Sequence, residues 1–167
     1  MVLIGLGSNR GDSRSTVASA MRRLAEYAAG ALRCSGLWRT SPVGCPPGSD
    51  DFINAAVAFK ARDGLSPETL LRALKALEVE YGRGPTPIRN APRELDLDLL
   101  LFDNQTRDEP DFSLPHPRAV DRLFVLAPAA QVVPDAVWPG TGTTVRDLLA
   151  QLQTDEQVEV LDAMPVG

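Results

Sequence analysis

The chain has 167 residues, 44% of them apolar and 23% charged, with a formal net charge of −5, the composition of one globular domain with a sizeable core. No apolar run is long enough to cross a bilayer, residues 1–8 lack the basic-then-apolar order of a signal peptide, and the acidic balance argues against a nucleic-acid footprint spread over the surface. The cysteines, Cys34 and Cys45, suggest neither a disulfide framework nor a zinc site, so a reducing cytoplasm is the simplest compartment.

In chain order, Val2 to Gly7 reads as a first strand and Ser8-Asn9-Arg10-Gly11-Asp12 as a turn. Val17, Met21, Leu24 and Ala28 recur at helical spacing, which predicts a helix from Ser13 to Ala28. Leu32 to Thr40 is expected to be strand two. Residues 41–51 hold three prolines and two glycines and read as a loop. Phe52 to Ala61 is expected to be strand three. Ser66 followed by Pro67 marks a helix start, Leu70, Leu74, Leu77 and Tyr81 line one face, and Gly82 ends the helix.

Gly82 to Pro92 contains two glycines and three prolines, too many for a helix or a central strand. Strand four is expected from Leu95 to Phe102, followed by a turn at Asp103-Asn104 that can return through a short fifth strand. Residues 108–118 form a proline-bearing loop around His116. Residues 120–131 are apolar and helical in part, Thr144 can cap a last helix from Val145 to Leu152, and Glu156 to Leu161 can close the sheet. The resulting β-α-β-β-α-β order predicts an α+β fold of ferredoxin-like type over residues 1–167. Its antiparallel-rich sheet carries helices on one face, with additional C-terminal elements.

Strand four carries the main anomaly. Arg93-Glu94-Leu95-Asp96-Leu97-Asp98-Leu99-Leu100-Leu101-Phe102 reads as a buried central strand, yet it holds Asp96 and Asp98 on one face, ~7 Å apart along the chain. Two carboxylates in an apolar run repel each other and lose hydration, and a divalent cation removes both costs. Magnesium fits, and magnesium usually arrives with phosphates. An edge strand with one solvated face would hold the same pair without metal, and a DxD glycosyltransferase or a two-metal nuclease shares the spacing.

The basic residues cluster. From Tyr81 to Arg93 there are Arg83, Arg89 and Arg93 with no acid, and His116, Arg118 and Arg122 lie close together against Asp121. Such segments suit a small anionic ligand better than a polymer. Arg93, three residues before Asp96, can reach a phosphate whose other oxygens share the metal, and guanidinium favours such forked contacts. His116, between Pro115 and Pro117, suits a phosphate contact. Gly5-Leu6-Gly7 with Gly11 does not have dinucleotide-fingerprint spacing and reads as glycines for tight strand-to-helix packing, and no P-loop is present. Cys34 is expected in the core, and Cys45 has no basic partner close in sequence. Asn54 at the mouth of strand three can pair with a flat heterocycle, with Phe52 and Phe124 as stacking partners; alternatively it bonds its own backbone.

Together these segments resemble the family of 6-hydroxymethyl-7,8-dihydropterin pyrophosphokinases, enzymes of folate biosynthesis. The resemblance is carried by Ile4-Gly5-Leu6-Gly7-Ser8-Asn9, Phe52-Ile53-Asn54-Ala55-Ala56-Val57, Glu78 through Gly82-Arg83, Arg89-Asn90-Ala91-Pro92-Arg93 through Asp96-Leu97-Asp98, and Leu114-Pro115-His116-Pro117-Arg118. It implies a ferredoxin-like fold, a monomer, and transfer of the pyrophosphoryl group of ATP to the pterin hydroxymethyl oxygen, giving AMP and the pterin diphosphate. It further implies two magnesium ions at Asp96 and Asp98, with Arg83 and Arg93 beside them as catalytic residues. ATP contacts are implied at Glu78, Arg89, Leu99, Ser113, His116, Arg118 and Arg122. A pterin pocket is implied at Thr40, Pro42, Val43, Gly44, Phe52, Asn54 and Phe124.

In this reading the loops at 41–51 and 82–92 are lids that exclude water. Some members carry a basic residue where this chain has Pro85, an aromatic at Asn90, a glycine at Ala91 and a tyrosine at Phe52. These departures bear on the lid and the rate, not on the metal pair. The rival expectations are a catalytically silent nucleotide- or pterin-binding module, or another DxD metal-dependent transferase.

Overall fold

The computed structural model describes residues 1–9, 12–40, 51–82, 94–154 and 156–162. Pro42, Val43, Gly44, Cys45, Arg83, Pro85, Arg89, Asn90, Ala91 and Arg93 lie outside the described residues, as do the two expected lids apart from Asp51 and Gly82 at their ends.

The chain runs β1 (Val2–Ser8), α1 (Ser13–Arg23), β2 (Arg33–Cys34), β3 (Leu37–Thr40), β4 (Phe52–Phe59), α2 (Pro67–Glu80), β5 (Asp96–Phe102), β6 (Arg107–Glu109), β7 (Phe112–Leu114), α3 (Leu123–Val132), β8 (Val137–Trp138), β9 (Thr143–Thr144), α4 (Val145–Gln151) and β10 (Val158–Asp162). Local chemistry sets the helix starts. Asp12 accepts from the Ser15 N–H at 3.3 Å, Ser66 from the Thr69 N–H at 3.1 Å, and Thr144 from the Asp147 N–H at 3.2 Å, each oxygen satisfying a helix N–H that has no partner within the helix. Gly82, at φ +98°, follows α2 in a conformation that favours glycine.

Among the described residues the main sheet has six strands in the order β10-β3-β4-β1-β5, with β2 also pairing β4, and each of these pairings is antiparallel. β4 is central, and Ile53 to Phe59 are all buried. β5 lies at one edge and β10 at the other. The register of β5 on β1 shifts between Leu3 and Ile4, which face Leu101 and Leu99, so Leu100 forms a bulge. The bulge reverses the alternation along β5. Leu95, Leu97 and Leu99 face one core, whereas Leu100 and Leu101 both enter the other.

Two cores flank the sheet, and this departs from the expected single helical layer. Val17, Met21, Leu70, Leu74 and Leu77 of α1 and α2 pack with Val2, Ile4, Leu6, Val57, Leu97 and Leu99 on one face. Val125, Ala129 and Val132 of α3, with Trp138 and Val145, pack with Leu3, Ala56, Ala58, Leu100 and Leu101 on the other. The physical reason is the composition of the inner strands: β1 and β4 are apolar on both sides and cannot leave either to water.

Smaller departures have local causes. The first helix ends at Arg23 and tightens into a 3-10 turn over Leu24–Tyr27. Strand two breaks into β2 and β3, and the Ser35 hydroxyl at the break accepts from the Ala56 N–H at 2.8 Å. The expected fifth strand forms a separate β6–β7 hairpin, so part of the proline-bearing loop is strand. The C-terminal strand does close the sheet, pairing β3 through Val158 opposite Thr40. Cys34 is buried as expected, and burial pushes its thiol up.

Candidate active site

α3 packs mainly on β4, with lesser contact to β3, β1 and β10, and it lies away from β5 on its face of the sheet. A row of residues in register crosses the sheet on this face toward β5: Trp38 on β3, whose Nε1 donates to Gln131 Oε1 of α3 at 2.8 Å, then Asn54 on β4, Gly7 on β1 and Asp96 on β5. Asp98 follows two residues on, opposite Gly5. Both carboxylates are partly exposed, and the Asp98 side chain keeps 43% of its accessible surface. The central, buried strand expected from the leucines is therefore corrected. β5 is an edge strand whose acids point to the open face while Leu95, Leu97 and Leu99 fill the opposite core. An edge strand with a solvated face accounts for the acids without a metal, so the case for metal rests on what surrounds them.

His116 stands next to the pair. Its backbone N–H donates to Leu100 O at 3.0 Å, and its Nε2 lies 4.0 Å from Asp98 Oδ1. Nδ1 accepts from the Arg118 N–H at 3.3 Å, which puts the proton of the neutral ring on Nε2, toward Asp98. Burial pushes the imidazole below its ordinary value of 6.5; Asp98 pulls it up, and Arg122, Arg118 and Lys75 push it down. The three cations bear on one imidazole, so this end of the molecule carries positive charge beside the two acids. The Arg122 guanidinium lies 5.6 Å from the centre of the Phe124 ring, at the start of α3.

The other candidates fall into place around this row. Thr40 and Asn54 are both buried, and Asn54 Nδ2 donates to Thr40 Oγ1 at 2.8 Å, so Asn54 bonds across strands and not to its own backbone turn. Phe52 pairs Thr40 on the same face, partly exposed. Ser113 is half-buried on β7, and Arg118 is exposed. Leu99 turns its side chain into the core under α2, which leaves only its backbone for a ligand. Leu97 N–H points away from β1, and Leu99, two residues on, presents its backbone on that same outer edge.

Glu78 is buried in the seam between α2 and β5, where its Oε2 accepts from the Leu97 N–H at 2.8 Å. It thus pins the strand between the two aspartates. Lys75 Nζ sits 3.4 Å from Glu78 Oε1. Lys75 is absent from the sequence-based set although its i,i+3 spacing to Glu78 is a readable signal.

Gly5 and Gly7 face this side of the sheet and not α1. A Cβ on Gly5 would touch Leu100 at an ordinary 3.5 Å, and one on Gly7 would sit 2.9 Å from Asn54 Oδ1. The strand-to-helix explanation for these glycines is corrected accordingly.

Among the described residues no group of three or more His, Cys, Asp or Glu side chains could enclose a metal. Magnesium does not need such a cage, since it takes one or two carboxylates and completes its shell with water and substrate phosphate. Two hard oxygen donors on one open face, flanked by cations, fit that mode of binding.

A family model described as 7,8-dihydro-6-hydroxymethylpterin-pyrophosphokinase matches residues 3–134. The chain belongs to this family. It is 33% identical to the 2-amino-4-hydroxy-6-hydroxymethyldihydropteridine pyrophosphokinase of Synechocystis over 99% of its own length and 83% of the relative's. It is 38% identical to the Pseudomonas aeruginosa enzyme of the same name, covering 89% of this chain and 90% of that one. A crystal structure of a triple mutant of Plasmodium falciparum HPPK-DHPS with pteroate superposes with a TM-score of 0.69 at 14% identity, over 90% of this chain and 42% of that longer chain, a likeness of fold. Pyrophosphokinases of this family are thus matched along nearly the whole chain, and the described part of the Asp96 motif lies on the open face.

Proposed function

We propose that this chain transfers the pyrophosphoryl group of ATP to the hydroxymethyl oxygen of 6-hydroxymethyl-7,8-dihydropterin, releasing AMP and the pterin diphosphate, in folate biosynthesis. Family membership over residues 3–134 supports the reaction. The observation that carries the site is the row Asn54–Gly7–Asp96. It sets the Asn54 amide and the Asp96 carboxylate on one face, two strand spacings or ~10 Å apart, which supports a heterocycle at the first and a metal at the second. The spatial order β3-β4-β1-β5, with α1 and α2 on one face, supports the ferredoxin-like assignment.

Asp96 and Asp98 would hold the magnesium ions. Bound there, magnesium would supply charge neutralisation for the transferring pyrophosphoryl group. Arg122 and Arg118 add cations on the phosphate side, and Arg83, Arg89 and Arg93 belong there by resemblance. His116, neutral with its proton on Nε2, is suited to donate to a phosphate oxygen. Glu78 holds the strand that carries the acids, and the outer backbone of Leu99 and the Ser113 hydroxyl serve the nucleotide. Asn54, Thr40, Phe52 and Phe124 would hold the pterin, with Pro42, Val43 and Gly44 by resemblance, so that its hydroxymethyl group points along the row toward Asp96.

In-line attack of that oxygen on the β-phosphorus then needs little beyond positioning and charge, and Asp96 is placed to orient the hydroxyl or take its proton. We take the protein to act as a monomer in the cytoplasm. No helix of the described residues is long and apolar enough to cross a membrane. The test is direct. Incubated with ATP, magnesium and the hydroxymethyl dihydropterin, the protein yields AMP and pterin diphosphate in equal amounts; absence of both products overturns the reading.

A further inference from the structure

We infer that Gly7 is a positioning residue: its missing side chain is what lets the Asn54 carboxamide take the orientation in which it meets the heterocycle. The inference rests on the pterin reading above. A glycine inside a strand weakens it and calls for a reason. Backbone conformation is not that reason, because among the described residues the positive-φ glycines are Gly64, Gly82, Gly140 and Gly142, and Gly7 has regular strand pairing on both sides. Space is the reason. A Cβ on Gly7 would sit 2.9 Å from Asn54 Oδ1, closer than a carbon and an oxygen tolerate.

The carboxamide cannot simply swing aside, since Nδ2 is held at 2.8 Å by Thr40 Oγ1 on the neighbouring strand. Asn54 is thus gripped from two directions. Thr40 takes one N–H, and Gly7 leaves the opposite flank open for Oδ1. The residue is 5% exposed, and among the described residues no donor reaches Oδ1; a buried amide oxygen left so is costly, which suits an acceptor kept for the N–H edge of a flat heterocycle. Gly5 provides the contrast: on the same strand and face, the nearest atom its Cβ would meet is Leu100 Cδ1, at an ordinary 3.5 Å.

The experiment is a double-mutant cycle read by calorimetric binding of the hydroxymethyl pterin at saturating magnesium and non-hydrolysable ATP analogue. Gly7→Ala weakens pterin binding ~10-fold, the size of one lost buried hydrogen bond, while affinity for the ATP analogue stays unchanged. In an Asn54→Ala background the same substitution has no further effect. Equal pterin affinity in Gly7→Ala and the native protein overturns the inference, as does a full loss that persists without Asn54.

If Gly7→Ala fails to fold, Gly7→Ala/Asn54→Ala folds again. A double variant that also fails overturns the inference. Native protein that binds no pterin refutes the pocket assignment instead, and the positioning role is then decided in the ligand-free protein. There the Asn54 side-chain amide resonances shift in Gly7→Ala; unmoved resonances overturn it.

Discussion

The two faces of the sheet are built from the same strands and do opposite things. The face toward α1 and α2 is closed. Ile4, Leu6, Leu97 and Leu99 point into it, and each is at most 4% exposed. The face toward α3 is closed where α3, Trp138 and Val145 pack, and elsewhere it carries Asn54, Gly7, Asp96 and Asp98 in place of an apolar layer. Adjacent residues of one strand therefore face core and open surface in turn, Leu97 inward and Asp98 outward. Polar chemistry on the open side is affordable because the closed side already anchors β5.

The largest expected effect breaks this comparison on the open side. Asp98→Ala, and likewise Asp96→Ala, lowers turnover by at least ~10³-fold while the melting temperature stays level or rises, since a like-charged pair is removed. Full activity in either variant refutes the metal assignment. A substitution on the closed side does the reverse. Leu74→Ala costs about 2–5 kcal/mol in chemical denaturation, and the protein that remains folded keeps its affinity for the ATP analogue.

Glu78 lies in the seam and sharpens the contrast. Glu78→Ala leaves the buried Leu97 N–H without its acceptor and costs about 1–3 kcal/mol, whereas Glu78→Gln keeps a carbonyl there and loses less. Denaturation of both variants, compared with their turnover, separates support of the strand from direct contact with nucleotide.

The smallest effect is a titration. In the metal-free protein the His116 imidazole titrates below 6.5 because burial disfavours its charge. Asp98→Asn lowers it further, since Asp98 is the group that raises it. With the folded value below the unfolded one, the neutral ring's share of stability is fully present above about 6.5 and is lost as the pH falls through the folded value. NMR of the single imidazole measures both; a value above 6.5, or a rise in Asp98→Asn, contradicts this electrostatic account.

The elements were legible wherever the signal was local. Helix starts follow from Asp12, Ser66 and Thr144, the helical stripe from Leu70, Leu74 and Leu77, and the Asp96–Asp98 pairing on one face from the two-residue period of a strand. The family, too, was carried by short ordered motifs, above all Arg89 through Asp98. What the sequence could not decide was anything that depends on which strands become neighbours. The leucines of β5 read as a central strand, because an edge strand with one fully covered face and a bulge has the same apolar count. The second helical layer was missed because α3 shows little periodicity: it is apolar nearly all round. The Thr40–Asn54 bond and the fit of Gly7 against Asn54 join β3, β4 and β1 across 14 and 47 positions of chain. By itself the sequence determined the local conformations and the chemical groups on offer. Only the tertiary structure decided which acids face open space and which glycine makes room for which amide, because strand order and register are long-range choices settled by burying both faces of β1 and β4 together.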